Sequence, residues 1–333
     1  MPSKQISVPD SFRPRTRWGE KPYYSLDYYL KETFGEKIYK IALDGGMTCP
    51  NRDGTLDTRG CIFCSQGGSG EFAIPRNTSV TKQLEDGIAF LQSHSKACGN
   101  SYIAYFQAYS NTYAPVAYLR SLYKEAIRHP QVKILSIATR PDCFSPPIYE
   151  LLEDCSHQKP VWVELGLQTI HEQTAKYIRR GYPLSVFEDT VHQLRKRGIA
   201  VIVHIILGLP GEDLKQILET IHYLNEQDIQ GIKLQLLHIL KGTDLAEEYY
   251  KTLRHPEENE NGQIVSSLTQ QEYIHHLLSC IGHLSPDIVI HRLTGDGPKE
   301  LLLAPLWSRN KRAVLNDIAH QMKINNLYQG CML

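Results

Sequence analysis

The sequence predicts an α/β fold built on parallel strands, and three observations carry that prediction. Six apolar runs rich in β-branched and aromatic residues recur along the chain: IYKIALDGG at 38–46, SYIAYFQAY at 101–109, VKILSIATR at 132–140, VWVELGLQT at 161–169, IAVIVHIILG at 199–208 and GIKLQLLHIL at 231–240. Each is bounded by turn residues and reads as a buried strand, apolar on both faces as a sheet covered on both sides requires. Between the runs lie charged segments of helical periodicity, so that strand and helix alternate as in repeated βαβ units.

The first strand ends in Asp44-Gly45-Gly46 and is followed, after a long loop, by the helical text VTKQLEDGIAFLQSH. The second ends at Phe106-Gln107-Ala108 and leads to VAYLRSLYKEAI, and the third closes in Arg140-Pro141-Asp142. The fourth carries Glu164 and Gln168 and precedes VFEDTVHQLRKRG. The fifth ends in Gly208-Leu209-Pro210-Gly211-Glu212, a turn that allows close backbone approach to a ligand, and opens LKQILETIHYLNEQ. The sixth brings Lys233, Gln235, Leu237 and His238. Six such units fit an open doubly wound sheet or part of a closed α/β barrel, and both place chemistry at the carboxyl ends of the strands. Beyond residue 255 come the polar loop HPEENENGQ, helical text from Thr269 to Gly282 and the compact HRLTGDGPKELLLAPLWSRNKR. The expected division is an N-terminal segment over 1–35, a core over 36–255 and a C-terminal α-rich extension over 256–333, packed on the core.

The 333 residues, 41% of them hydrophobic, suffice for a large core. Lys plus Arg and Asp plus Glu balance at 36 each, so no overall field drives the chain onto nucleic acid or an anionic membrane, and local patches must carry any such binding. No run resembles a signal peptide or approaches a membrane span, which leads us to expect a cytoplasmic protein without membrane contact. Eight cysteines are too few for a disulfide scaffold in a chain of this size.

Their spacing is informative. In CPNRDGTLDTRGCIFC, Cys49 is separated by eleven residues from Cys61, and two more lead to Cys64. Cys61 and Cys64 bring two thiolates into one turn, and the glycines around them let the backbone wrap a bulky inorganic core, with Phe63 placed to shield it. Three cysteines leave one iron of a four-iron cluster open to chelate a further molecule. A structural zinc site wants a fourth Cys or His, and none lies between residues 40 and 93; the third cysteine weighs against a simple redox pair. Cys98, Cys143, Cys155, Cys280 and Cys331 are scattered and read as core or surface thiols.

Together with GGMTCPNRDGT ahead of CIFC, the blocks AYFQAYSNTYAP, IATRPDC, VWVELGLQT, HIILGLPGE, GIKLQLLHILKGT and HRLTGDGP make the chain resemble the YhcC/YtqA-like family of radical S-adenosylmethionine (SAM) proteins, over roughly residues 15–330. That family's wider relatives include the Elongator catalytic subunit. The resemblance implies a partial (β/α)6 barrel, a 4Fe–4S cluster on Cys49, Cys61 and Cys64, and SAM bound across the strand ends. It implies reductive cleavage of SAM to methionine and a deoxyadenosyl radical that takes hydrogen from an unactivated C–H bond, fed by an electron donor such as flavodoxin or ferredoxin.

Residue roles follow from the same resemblance. Gln107 and Ala108 stand where related enzymes offer backbone oxygens to the methionyl amine. Glu164 and Gln168, four apart on one strand, share a face inside the barrel and need partners there, which a bound ligand supplies. Gln168 and Arg180 have counterparts that contact SAM in the oxygen-independent coproporphyrinogen oxidase branch, and His204 stands where that relative has an acidic ribose contact. Gly208 and Leu237 are assigned to the wall around adenine and ribose. Asp44, Asn111, Arg140, Asp142, Arg292 and Asp296 are candidate substrate contacts, with Thr112 and Tyr113 on the loop of Asn111. GDGP at 295–298 points to the YtqA-like branch, whose resemblance implies conversion of carboxymethylaminomethyl to aminomethyl groups on tRNA wobble uridine. Arg179-Arg180, RKR at 195–197 and RNKR at 309–312 then form an expected phosphate-binding surface. The alternatives are a radical SAM enzyme acting on a small metabolite and a zinc-stabilised, non-catalytic nucleic-acid-binding protein.

Overall fold

A computed structural model of the chain describes residues 15–68, 70–74, 79–94, 99–254 and 265–333. Cys98 and the expected boundary at 255/256 lie outside the described residues. The six runs form β1 (Tyr39–Leu43), β2 (Tyr102–Phe106), β3 (Val132–Thr139), β4 (Val161–Gln168), β5 (Ala200–Leu207) and β6 (Gly231–Leu236). After them, β7 (Ile239–Leu240) pairs antiparallel with β9 (Leu302–Ala304), while β8 (Val289–Arg292) joins the main sheet beside β6. All pairings in that seven-stranded sheet are parallel, in the order β1-β2-β3-β4-β5-β6-β8. The sheet curls into a half-barrel, which brings inward side chains together across it: Lys40 of β1 reaches Glu164 of β4 at 2.9 Å, and Lys233 of β6 reaches the Tyr105 hydroxyl of β2 at 3.2 Å.

The outer face carries Ile41, Leu43, Phe106, Leu135, Val163, Val203 and Leu234, all buried against the covering helices. These include α2 (Val80–His94), α3 (Val116–Arg128), α4 (Pro146–Ser156), α6 (Leu184–Arg195) and α7 (Leu214–Asn225), with the short α5 (Glu172–Tyr177) between β4 and α6. The α7 start follows from a capping box in which Asp213 accepts from the Gln216 N–H at 2.9 Å and the Gln216 side chain accepts from Asp213 N–H at 3.2 Å.

Two features go beyond the expected strand–helix alternation. Helix α1 (Leu26–Phe34), capped by Ser25 and ended by Gly35 at φ 73°, closes the amino-terminal end of the barrel with Leu26, Tyr29, Leu30 and Phe34 against Ile103, Ile134, Trp162 and Ile202. The C-terminal portion is α-rich, with α8 (Asp244–Arg254), α9 (Gln270–His283) and α10 (Lys311–Ile324), yet it also supplies β8, a seventh strand that the sequence reading did not anticipate. A four-residue strand, only half of it apolar, is too short for periodicity to distinguish from loop text.

Candidate active site

The loop after β1 is built around its cysteines. Cys64 N–H donates to the Cys61 carbonyl at 3.0 Å, closing the turn, and Arg52 donates to the carbonyls of Cys64 at 2.7 Å and Ser65 at 2.6 Å. Ile62 ties that turn to the rest of the fold: its carbonyl accepts from Leu245 N–H at 2.9 Å, and its N–H donates to Ile178 O at 3.3 Å. Asn51, buried, donates to Arg179 O at 2.7 Å and lies 3.5 Å from the Cys61 sulfur. Gly60 turns at φ 79° directly against the Arg52 guanidinium, where a Cβ would stand 2.8 Å from Nε.

The residues that follow, Ser65 to Gly68 and then Gly70, are clamped onto the end of β2. The Tyr109 hydroxyl donates to Gln66 O, its ring covers Gly68, and a Cβ on Gly70 would meet that of Ala108 at 2.6 Å. Burial pushes up both thiols of the turn, Cys64 to about 12, against the pull of Arg140 at Cys61 and Arg52 at Cys64.

At the carboxyl ends of the strands opens a cavity of about 420 Å³. It brings together Cys49, Cys61, Cys64, Gln107, Glu164, Gln168, Arg180, His204 and Leu237, and also Lys233, Gln235 and His238. Ala108 and Gly208 do not line it: Ala108 seats the cysteine loop, and Gly208, at φ 88°, packs on Leu268. Gln168 takes φ 69° beside an irregularity in the β4–β5 register, which turns its side chain into the cavity, and its buried Oε1 has no hydrogen-bond partner. The buried Ser110 hydroxyl, also on the cavity wall, lacks one as well.

Arg180 is committed to the scaffold. Its guanidinium donates to Thr169 O at 2.7 Å, Tyr182 O at 3.0 Å and Glu172 Oε1 at 2.9 Å, and lies over the Tyr182 ring. Arg140, on the cavity wall, forms a bidentate pair with Asp142 at 2.9 and 2.7 Å. Asp44 accepts from Gly46 N–H at 2.7 Å, Asn111 donates to Ala138 O at 2.9 Å, Thr112 bonds Thr139 at 2.6 Å and Tyr113 bonds Thr55 at 2.9 Å, so these four hold loops together around the site.

The cavity wall includes a charge cluster that sequence reasoning reached only in part. Glu164 is fully buried: Oε1 accepts from Lys40 at 2.9 Å and Ser136 at 2.8 Å, and Oε2 accepts from Lys233 and, at 2.8 Å, from His204 Nε2. Burial would raise its carboxyl, but Lys233, Lys40 and His204 outweigh it and hold Glu164 well below the usual range. Burial, with Lys233 and Lys40 adding to it, drives His204 down to about 4, so its neutral ring donates to Glu164. Lys233 is pulled down by burial first, then by Lys40 and Arg292, against Glu164. His238 is likewise driven down to about 4 by burial, and Gly295 and Gly297 of the GDGP block pack on its ring.

Residues 58–224 match the radical SAM superfamily, and residues 229–324 match the radical SAM C-terminal domain. The chain is 42% identical to YtqA of Bacillus subtilis (strain 168) over 311 residues, covering 93% of this chain and 92% of that one. Over 134 residues it is 30% identical to the tRNA uridine(34) acetyltransferase of Methanocaldococcus jannaschii, covering 37% of this chain and 24% of that one. Its fold is similar to that of Elp3 from the archaeon Methanocaldococcus infernus, with a TM-score of 0.63 at 14% identity; the match covers 88% of this chain and 64% of that structure. Among the described residues no helix is long and apolar enough to cross a membrane.

Proposed function

The chain belongs to the radical SAM superfamily, and on that premise we propose that Cys49, Cys61 and Cys64 hold a 4Fe–4S cluster, and that the cavity beside them takes SAM and a wobble uridine of tRNA. Membership implies an enzyme that uses SAM and such a cluster, and it sets aside the zinc-stabilised, non-catalytic alternative. The observation that carries the site is the convergence of three thiols and the unsatisfied Gln168 Oε1 on one strand-end cavity.

The residues fit the groups they would hold. Three cysteines on one loop beside the strand-end cavity are the donor set that leaves one iron of a four-iron core open to a further ligand. The burial that disfavours free thiolates at Cys61 and Cys64 is offset once iron is the cation beside them. Gln168 Oε1 and Ser110 Oγ are acceptors that the amine and ribose hydroxyls of SAM answer.

The cluster would be held by Cys49, Cys61 and Cys64, and would supply the electron for reductive cleavage of SAM ahead of hydrogen abstraction from the substrate. This chain's own residues do the rest. Arg52 and Arg140 set positive charge beside the thiolates, the backbone at Gln107 accepts from the methionyl amine, and Ile206, Leu237 and Phe63 exclude water from the reacting atoms.

The substrate reading, conversion of carboxymethylaminomethyl to aminomethyl groups on tRNA wobble uridine, is supported by the likeness to YtqA over nearly the whole chain and by a shorter match to a protein named for tRNA uridine 34. A deletion strain tests it. Nucleoside analysis of its tRNA is expected to show carboxymethylaminomethyl uridine accumulating at the expense of aminomethyl derivatives, and an unchanged profile would remove the tRNA assignment. In parallel, anaerobically reconstituted protein is expected to bind iron and sulfide in equal amounts and to form deoxyadenosine, and Cys61→Ala to lose both.

A further inference from the structure

We propose that Arg292, with Lys233 beside it, is the seat for a carboxylate on the substrate. The inference rests on the reading above, in which the substrate arm ends in a carboxylate. Lys233 on β6 and Arg292 on β8 are register partners on adjacent strands, and both side chains line the cavity.

Their charges are only partly answered. Lys233 and Lys40 share the single carboxylate of Glu164. Asp296 is shared too: it lies 2.6 Å from Lys311 and 3.5 Å from Arg292. Glu164 is thus divided between two lysines and Asp296 between Lys311 and Arg292, so neither Lys233 nor Arg292 has a carboxylate to itself. The arginines elsewhere on the wall have partners of their own. Arg140 pairs with Asp142 and Arg180 with Glu172, while Arg52 faces the cysteines.

The Arg292 guanidinium, about a third exposed, makes its ion pair at the long end of the range. Its planar fork therefore has donors to offer a carboxylate in bidentate geometry. Lys233 is almost fully buried, so a carboxylate reaching it gains from a low local dielectric. Strand β8 is the sheet edge opposite β1, whose following loop holds the cysteines. A substrate carboxylate anchored there stays apart from the carboxylate of SAM, which is expected at the cluster. An arm lacking the carboxylate forgoes the contacts with these two cations, and that is a basis for specificity.

Two anticodon stem-loop RNAs that differ only at the wobble base, one bearing 5-carboxymethylaminomethyl uridine and the other 5-aminomethyl uridine, test the seat by fluorescence anisotropy on the anaerobic, cluster-loaded protein. Phosphates are the same in both, so backbone binding cancels. The wild type is expected to prefer the carboxylate RNA on the order of tenfold, the scale of one good charged contact. Arg292→Gln is expected to bring the ratio near one, and Arg292→Lys, which keeps the charge, to restore part of it. Equal binding of the two RNAs by the wild type, or an unchanged preference in Arg292→Gln, overturns the seat while leaving the tRNA reading in place. Failure of both RNAs to bind better than an unrelated hairpin overturns that reading and the seat with it.

Discussion

At the scale of single residues, Glu164 shows what the sequence conveys and what it hides. Its position on β4 with Gln168 marks a polar face inside a barrel, where unpaired groups are costly. Gln168 keeps an unsatisfied acceptor toward the cavity, whereas Glu164 finds its partners in the protein. Those partners, Lys40 and Lys233, stand 124 and 69 residues away, so no spacing reveals them. The cysteine turn was legible because its geometry is local. Glu164→Gln would leave two lysines facing a neutral amide in a buried site, and a loss of about 3–5 kcal/mol in urea unfolding is expected. Adding Lys233→Met removes one of the stranded charges and should recover much of that loss; an additive double variant would show that the two groups are not coupled.

At the scale of elements, the strands were readable because both their faces are buried, which writes continuous apolar text. Strand β8 was not, being four residues long and placed beside β6 only by tertiary packing. The seating of the cysteine loop was hidden for a similar reason. Ser65 to Gly70 carries glycines whose use becomes visible only against Tyr109 and Ala108 of the β2 end. Gly68 sits at φ 59° under the Tyr109 ring, so Gly68→Ala meets both an unfavourable backbone conformation and a collision. The loop must lift, and iron content after anaerobic reconstitution is expected to fall several-fold while the melting temperature of the apoprotein moves little. Tyr109→Ala in the same chain should return part of the iron; no recovery would mean that Tyr109 is not what holds the loop down.

At the scale of the whole molecule, the barrel interior sets how stability depends on pH. His204 and His238 are driven down to about 4 and His291 well below 6.5, each chiefly by burial. Because these folded values lie below the unfolded value of 6.5, the unfolded chain binds more protons between about 4 and 6.5, and stability falls as pH drops through that window. Glu164 acts in the same sense: its carboxylate favours the fold above the ordinary 4.5, and that contribution goes as pH falls through its depressed folded value. Lys233, depressed below 10.5, makes stability rise with pH up to that value, while buried Tyr105, Tyr123 and Tyr182, all raised by burial, make it fall above pH 10. The maximum therefore belongs on the alkaline side of neutrality. Each fully shifted histidine contributes a slope of about 1.4 kcal/mol per pH unit inside its window. Urea unfolding between pH 5 and 6.5 is expected to show a steep rise in stability with pH, and His204→Gln, which keeps an N–H for Glu164 but cannot titrate, should remove the His204 share of that slope. A slope unchanged by the substitution would mean that His204 is protonated alike in the folded and unfolded chains, and that the charge cluster on the cavity wall carries a fuller positive charge than its geometry gives it.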